Sequence, residues 1–458
     1  MKTMGMAGQL ADFIEGLNFD TLPGEVVEQA KKCLLDSLGN LLAGKNSEST
    51  PKIVAIAKSH TDDPRSTIPG FGKASVEAAA FANSVMMRAL DLDDGHRYAM
   101  GHPGSVLIPA ALASAEACKA SGREVITALT AAYEVYSRLG TVINPQSYRE
   151  RGFESTGICG AVAAAALGAK LAGLDAVKTK NALGIAGLFA GGLIEYQNDG
   201  SSGKVLCPGW ALSGGLRAME LARAGFTGPE WIFEGKNGFF QAFGVNPNTD
   251  HALEGLGTRH GIMDTYFKVH GCMRGLHPSV DGAIALRPHL GDSLDLLKEL
   301  RVRTTPFVKR LDRPFPSTAE AAQGNLRFVL AVALKHGKVN HETLGCSLLD
   351  EKIEKIADRI AVALDDECIR YVSENPSHWG AAEVELLTSK GELFREWVPL
   401  ATGEPERPLG WDGLEAKFEE LVAKTDFALH SHRLVQAVRN FESPASIEEI
   451  FEIFGTAR

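Results

Sequence analysis

Residues Thr156–Leu174 read TGICGAVAAAALGAKLAGL, and the nature of this stretch decides the kind of protein the chain can form. It is the most apolar long run in the sequence, so a membrane span and a buried helix compete for it. Alanine and glycine are too weakly hydrophobic to hold a span in lipid, and Lys170 interrupts the run. The stretch is therefore predicted to be an Ala-rich helix of a water-soluble core.

The flanking sequence repeats the helical pattern. Upstream, helices are expected over Pro23–Ala43, Pro51–His60, Val76–Leu90, Pro103–Ser121 and Glu124–Leu139, with Ser155–Leu171 at the centre. Downstream, Ala176–Gly192 and Pro208–Ala224 continue it. Apolar residues at helical spacing, prolines at starts and glycines after ends support these boundaries. Past Asp264 the pattern changes. LKELRVRTTPFV (Leu297–Val308) alternates with period two, and AAEVELLTSKGELFREWVPL (Ala381–Leu400) reads as a hairpin turning at Ser389-Lys390-Gly391. Helical segments Ala319–Lys335 and Glu351–Ala363 lie between them. Thr402–Gly413 is rich in Pro and Gly and reads as a linker, and helices return over Leu414–Lys424 and Ser446–Phe454. The expected fold is mainly α: a large all-helical domain from residues 1–263 with 402–458, without strands, and a smaller α+β domain over 264–401.

Composition narrows the function. Of 458 residues 45% are hydrophobic and 23% charged, and the formal net charge is -10. An acidic chain is a poor partner for nucleic acid or an anionic membrane as its main surface. The seven cysteines show no CxxC pair, and their odd number excludes a complete disulfide framework. Reduced thiols and a cytoplasmic location are expected, and MKTMGMAGQLADFIEGL is not expected to be a leader. There is no GxGxxG after a strand, no Walker loop, no GxSxG and no HExxH, so nucleotide, flavin and serine-hydrolase chemistry lack support.

Chemistry concentrates in Ala89–Pro103, ALDLDDGHRYAMGHP. Asp91, Asp93, Asp94, His96 and His102 crowd a connection between two weakly charged helices. A solvated, capped loop explains any one of them; their density points to a site. Asp and His could ligate a metal, and the close Asp spacing also suits a terpene-cyclase acid, although aromatics are only 7% of the chain. Three dipeptides, His102-Pro103, Cys207-Pro208 and His277-Pro278, set a polar side chain before a proline able to open a helix. Lys204 precedes the second, and Lys268, His270 and Arg274 precede the third. Helix starts with cations nearby would receive a small polyanion such as a di- or tricarboxylate; three ordinary helix starts are the alternative.

Several segments together resemble the MmgE/PrpD family, which includes 2-methylcitrate dehydratase, cis-aconitate decarboxylase and iminodisuccinate epimerase. They are ALDLDDGHRYAMGHPGSVLIPAALA, GAVAAAALGAKLAGLD, GKVLCPGWA, FTGPEWIFEGKNGFF, YFKVHGCMRGLHPSVDGA and GEPERPLGWDGLEAKF. They span most of the chain in family order. The resemblance implies a helical domain made from both chain ends, a lid-like α+β domain, a homodimer, and metal-free, cofactor-independent chemistry on a small polycarboxylate. By position it assigns acid/base and carboxylate-binding roles to Asp91, His102, Lys204, Lys268 and His277. Within the acidic stretch, Asp93 and Asp94 are expected to shape the loop and His96 to line the entrance. The chain departs from the family pattern at three places: Glu154 stands for the histidine of a GFHPT-like segment, Gly95 for a hydroxyl residue, and Cys207 for the histidine of KxLH. Glu154, Cys207, Arg274, Asp93 and His96 are therefore the candidates for substrate binding. A lyase that removes a proton next to a carboxylate is the first reading, with His102 as acid/base and Asp91 orienting it or sharing the proton. An epimerase using His102 and Glu154 is the second, and a non-catalytic carboxylate-binding relative the third.

Overall fold

The computed structural model describes residues 4–59, 63–291, 293–378 and 380–456. Among the helices of its first half, seven long ones position the site: α1 (Gly24–Gly44), α2 (Val76–Arg88), α3 (Gly104–Cys118), α4 (Gly122–Ile143), α5 (Ser155–Leu171), α6 (Ala176–Phe189) and α7 (Gly203–Arg223). The Ala-rich run is α5, and every residue from Ser155 to Ala169 is buried. Helices α3, α4, α6 and α7 all pack on it. Small side chains let the backbones come close, so dispersion replaces bulk as the source of cohesion. A Cβ on Gly215 of α7 would lie 2.3 Å from the Ala161 carbonyl oxygen and 2.8 Å from the Ala165 amide. Helix α4 opens on a capping box, in which the Ser121 hydroxyl accepts from the Glu124 amide and the Glu124 carboxylate accepts from the Ser121 amide.

The chain is mainly α with a small mixed sheet. Strands β1 (Ser66–Ile68) and β2 (Gly72–Ala74) form one antiparallel ribbon, and β3 (Gly95–His96) pairs antiparallel with β4 (Thr265–Tyr266). The larger sheet contains β5 (Leu297–Thr304), β6 (Ile360–Leu364), β7 (Ala382–Thr388) and β8 (Leu393–Val398) in the order β6-β5-β7-β8. Its β5–β6 pair is parallel, and β5–β7 and β7–β8 are antiparallel. Helix α8 (His277–Leu286) packs on this sheet, with Gly282 against Val384. Buried apolar residues fall into two clusters. One draws on residues from Met6 to Phe267 and again on residues from Leu414 to Phe454. The other lies between Cys272 and Leu386. Among the described residues no helix is long and apolar enough to cross a membrane.

Several expected boundaries move, each for a local reason. The helical first half contains the short strands β1 to β3, too brief to give an alternating pattern. Helix α7 begins at Gly203, so Pro208 lies inside it rather than opening it. There the proline forgoes the bond its missing N–H would have given the Lys204 carbonyl, and its ring crowds that carbonyl. The helix expected over Glu351–Ala363 stops at Ala357, and Ile360–Leu364 is β6; five apolar residues in a row carry no period of their own. The helix expected over Ala319–Lys335 is two, α9 (Ala319–Gln323) and α10 (Leu326–His336), because Asn325 caps the second by accepting from the Phe328 amide. The short helix expected over Pro51–His60 runs Ser49–Ser59, and His60 lies outside the described residues. Helix α11 (Gly410–Val422) starts within the expected linker.

Adjacent glycines on α7 test the close-packing argument. Gly215→Ala drives a methyl into the α5 backbone and is expected to cost about 1–3 kcal/mol in urea unfolding. At exposed Gly214 a Cβ meets nothing within 4 Å, so Gly214→Ala is expected to stabilise by about 0.5–1 kcal/mol. Equal effects of the two substitutions would contradict the argument.

Candidate active site

The loop from Ala89 to Pro103 leaves α2 and enters α3 through a conformation that only neighbouring contacts can hold. Asp91 has φ +53° and Met100 φ +55°, the left-handed region that non-glycine residues rarely occupy. Asp91 is held there from three sides. Its Oδ1 accepts from Arg88 Nη1 on α2 at 2.7 Å and from Lys268 Nζ, just after β4, at 2.8 Å. Its Oδ2 is 3.0 Å from Lys204 Nζ in the first turn of α7. Lys268 also donates to the Asp91 backbone carbonyl at 3.0 Å. Burial opposes ionisation of this carboxyl. Lys204, Lys268 and Arg88 together outweigh burial, and its pKa lies well below the usual carboxylate range.

These groups face a partly enclosed cavity of about 60 Å³. Arg88, Asp91, His102, Glu154, Lys204, Lys268 and Arg274 line it, with Tyr148, Tyr196 and Tyr266. Arg313 and Glu320, from the part of the chain that carries the larger sheet, complete the lining. Lys204 also donates to Gln323 Oε1 at 2.7 Å, and burial, despite Asp91, lowers its pKa.

His102 has one carboxylate near it, Asp93, whose Oδ2 is 3.7 Å from His102 Nδ1. Its Nδ1 donates to the Asp94 backbone carbonyl at 2.6 Å, which leaves Nε2 as the lone-pair nitrogen. Burial, followed by the Arg88 charge, lowers its pKa to about 3, so the ring is neutral at physiological pH. No hydrogen bond joins it to Asp91 among the described residues, and the expected orienting role of Asp91 passes to the Asp94 carbonyl. Asp94 itself caps α3: Oδ1 accepts from the Gly104 amide at 2.8 Å, and Oδ2 from the Tyr133 hydroxyl at 2.7 Å. The start of α3 is thereby occupied, so the expected row of three free helix starts does not form. With Pro208 inside α7, the cavity takes its positive charge from side chains.

Four candidates stay outside the lining. Asp93 is fully buried and accepts from Arg88 Nη1 at 2.7 Å. His96 was expected at the entrance and is instead fully buried: Nε2 donates to the Gly261 carbonyl and Nδ1 accepts from the Ala99 amide. Both ring nitrogens are spent on the fold. His277 is also fully buried, donating to the Cys272 carbonyl and accepting from Arg274 Nη1 at 3.1 Å; it steadies Arg274 from behind. Cys207 packs beside Gly157 and Gly192. Glu154 is the N-cap of α5, accepting from the Thr156 amide, and its other oxygen accepts from the Tyr196 hydroxyl. Sequence reasoning missed Arg88, Tyr196, Tyr266, Arg313 and Gln323, which have ordinary local contexts. It also missed Glu404, in the expected linker, whose Oε1 accepts from Arg274 Nε and Nη2 at 3.0 and 2.5 Å. Among the described residues no group of three or more His, Cys, Asp or Glu side chains is arranged to hold a metal ion.

Both domains of one family match the chain. The MmgE/PrpD N-terminal domain matches residues 8–251, and the MmgE/PrpD C-terminal domain matches residues 270–443. The chain belongs to the MmgE/PrpD family. Relatives in it are distant but matched along most of their length. A cis-aconitate decarboxylase-like protein of Aspergillus oryzae is 25% identical over 98% of this chain and 97% of its own. The cis-aconitate decarboxylase of Homo sapiens is 25% identical over 96% and 93%, and that of Aspergillus terreus 26% over 88% and 86%.

The MmgE/PrpD loop carries one titration that stability can report. Burial raises the Asp94 pKa from 3.8 to about 7, against the lowering effect of its Tyr133 hydrogen bond. The folded state therefore holds this proton more tightly than the unfolded chain does. The resulting stabilisation is complete below pH 3.8 and disappears as pH rises through about 7. Urea unfolding from pH 5 to 8 is expected to show a declining stability that Asp94→Asn flattens; an equal slope in both proteins would refute the assignment.

Proposed function

We propose that the chain is a cofactor-independent lyase, a decarboxylase or dehydratase, acting on a small di- or tricarboxylate by proton transfer next to a carboxylate. The observation that carries this reading is His102, its Nε2 without a hydrogen-bond partner among the described residues, lining the same cavity as the cations gathered on Asp91. In a dehydratase a base takes the weakly acidic C–H proton beside a carboxylate, and the hydroxyl leaves as water with a proton from a cavity donor such as Lys204. In a decarboxylase the C–C bond to one carboxylate breaks, CO2 leaves, and the enolate-like carbon takes its proton from such a donor. Both need the enolate-like charge stabilised. His102 Nε2 supplies the base, held in one tautomer by the Asp94 carbonyl; an arriving anion offsets the Arg88 and Lys268 charges that help depress its pKa, and a base brought back toward neutral pKa contributes ~10²–10⁴-fold in rate. Lys204, Lys268 and Arg274 supply charge already in place, which costs no reorganisation when the anion develops; each well-placed donor contributes about 3–4 kcal/mol. Asp91 keeps the cations together between turnovers. The cis-aconitate decarboxylase relatives support the lyase class and make cis-aconitate the first compound to test.

Residues 264–401 would act as a lid, a role supported by Arg313 and Glu320 at the cavity and Gln323 on Lys204. A homodimer is supported by the exposed apolar side chains Leu188 and Phe189 at the end of α6 and Leu206 and Trp210 on α7. Helices α6 and α7 pack together, and light scattering of the purified protein is expected to give twice the chain mass. A second reading, an epimerase, draws on His102 and Glu154 lining one cavity.

Proton NMR in heavy water with cis-aconitate and a panel of small polycarboxylates separates the classes. A lyase gives a new product, an epimerase gives deuterium in recovered substrate, and a binding-only relative gives neither. His102→Ala is expected to lower turnover ~10²–10⁴-fold, and Lys204→Met ~10²–10³-fold. Unchanged turnover in both would sink the assignment. Because the His102 pKa is lowered to about 3, the acid limb of kcat/KM is expected well below pH 6.5. A midpoint at pH 6.5, the value of a solvated imidazole, would count against His102 as the base.

A further inference from the structure

We infer that the Tyr266 phenol is a substrate-contacting hydrogen-bond donor of this cavity, admitted by the missing side chain at Gly95. This rests on the cavity being a carboxylate site, as proposed above.

Gly95 and Tyr266 are direct cross-strand partners in the β3–β4 ribbon. The tyrosine ring folds over the glycine: a Cβ at position 95 would lie 2.3 Å from both Cζ and the hydroxyl oxygen of Tyr266. Any residue with a side chain at 95 would therefore displace the phenol. The ring is nearly buried, 2% exposed, and Arg274 lies over it at 4.5 Å from the centroid. The residue is packed on all other sides, but its hydroxyl oxygen is not among the fully buried unpartnered atoms and so opens on the cavity, where it takes its partner from whatever fills that space. Among the described residues the Tyr266 hydroxyl has no hydrogen-bond partner, yet it belongs to a residue of the cavity wall.

The bland alternative is that the ring merely covers a glycine in a short ribbon, as aromatic residues do across strands. Phenylalanine would do that equally well. The hydroxyl is the part the ribbon does not use. It shares the wall with Lys268, two residues further along, and with Arg274 on its own face. A carboxylate oxygen held by those cations provides the acceptor that the phenol lacks.

The test compares Tyr266→Phe with the unaltered protein in two measurements. Thermal unfolding without ligand reports whether the hydroxyl serves the fold. Titration with cis-aconitate and a panel of small di- and tricarboxylates, followed by thermal shift and calorimetry, reports whether it serves a ligand. The expected result is an unfolding temperature no lower than that of the unaltered protein, with affinity for the tightest carboxylate weakened about 10- to 100-fold, as for loss of a hydrogen bond to a charged group. Gly95→Ala, which keeps the phenol but displaces it, should weaken the same carboxylate comparably. Undiminished affinity in Tyr266→Phe overturns the inference while leaving the carboxylate site intact. A lower unfolding temperature with undiminished affinity assigns the hydroxyl to the fold. If no carboxylate binds the unaltered protein, the carboxylate reading fails and this inference fails with it.

Discussion

One buried carboxylate organises the centre of this protein. Asp91 is met by Arg88 from its own helix end, by Lys204 from the first turn of α7 and by Lys268 from the segment after β4. Three cations so close would repel one another without it, and the carboxylate could not remain ionised there without them. The same contacts hold Asp91 in a left-handed backbone conformation. The chain thus accepts local strain in return for bringing three distant segments to one point.

Charge at the cavity is divided by function. Carboxylates that shape the loop are spent behind the wall: Asp93 on Arg88, and Asp94 on the start of α3 and on Tyr133. Histidines behave likewise, since His96 and His277 use both ring nitrogens within the fold. His102 differs in having one nitrogen committed and one unspent, which is the condition a base needs. In the proposed reaction, the cations meet the anion and the neutral imidazole meets the proton.

Sequence made the large features visible and hid the small ones. Helices such as Ser155–Leu171 were legible because burial on several sides leaves a long run of small residues. The hairpin at Ser389-Lys390-Gly391 was legible because its strands alternate. The segments that build the site gave weaker signals. Two-residue ribbons such as β3–β4 have no period, and an arginine in the last turn of a helix looks like ordinary dipole compensation, which concealed Arg88. Glu404 was concealed by Pro and Gly neighbours, although Gly403, at φ +94°, lets its loop lie against Phe267. Asp91, Lys204 and Lys268 could be named from the family pattern, but only the fold shows that they share one carboxylate. The hydroxyl missing at Gly95 has a cause that no local pattern contains: the ring of Tyr266 already occupies the space.

The acidic core has one more tie, between residues far apart in synthesis. Asp36 of α1 is buried, and its carboxylate accepts from Lys417 of α11 at 2.5 Å. The same ammonium donates to the Leu92 carbonyl beside Asp91 at 2.8 Å. On a ribosome, 381 residues separate the acid from its base, which at ordinary elongation rates is roughly 20–80 s. For that interval the nascent helical layer must leave Asp36 in water or keep it protonated. The loop that frames the site therefore acquires its final support only after the chain has returned from the sheet to the first layer, which makes assembly of the centre a late event in the life of the polypeptide.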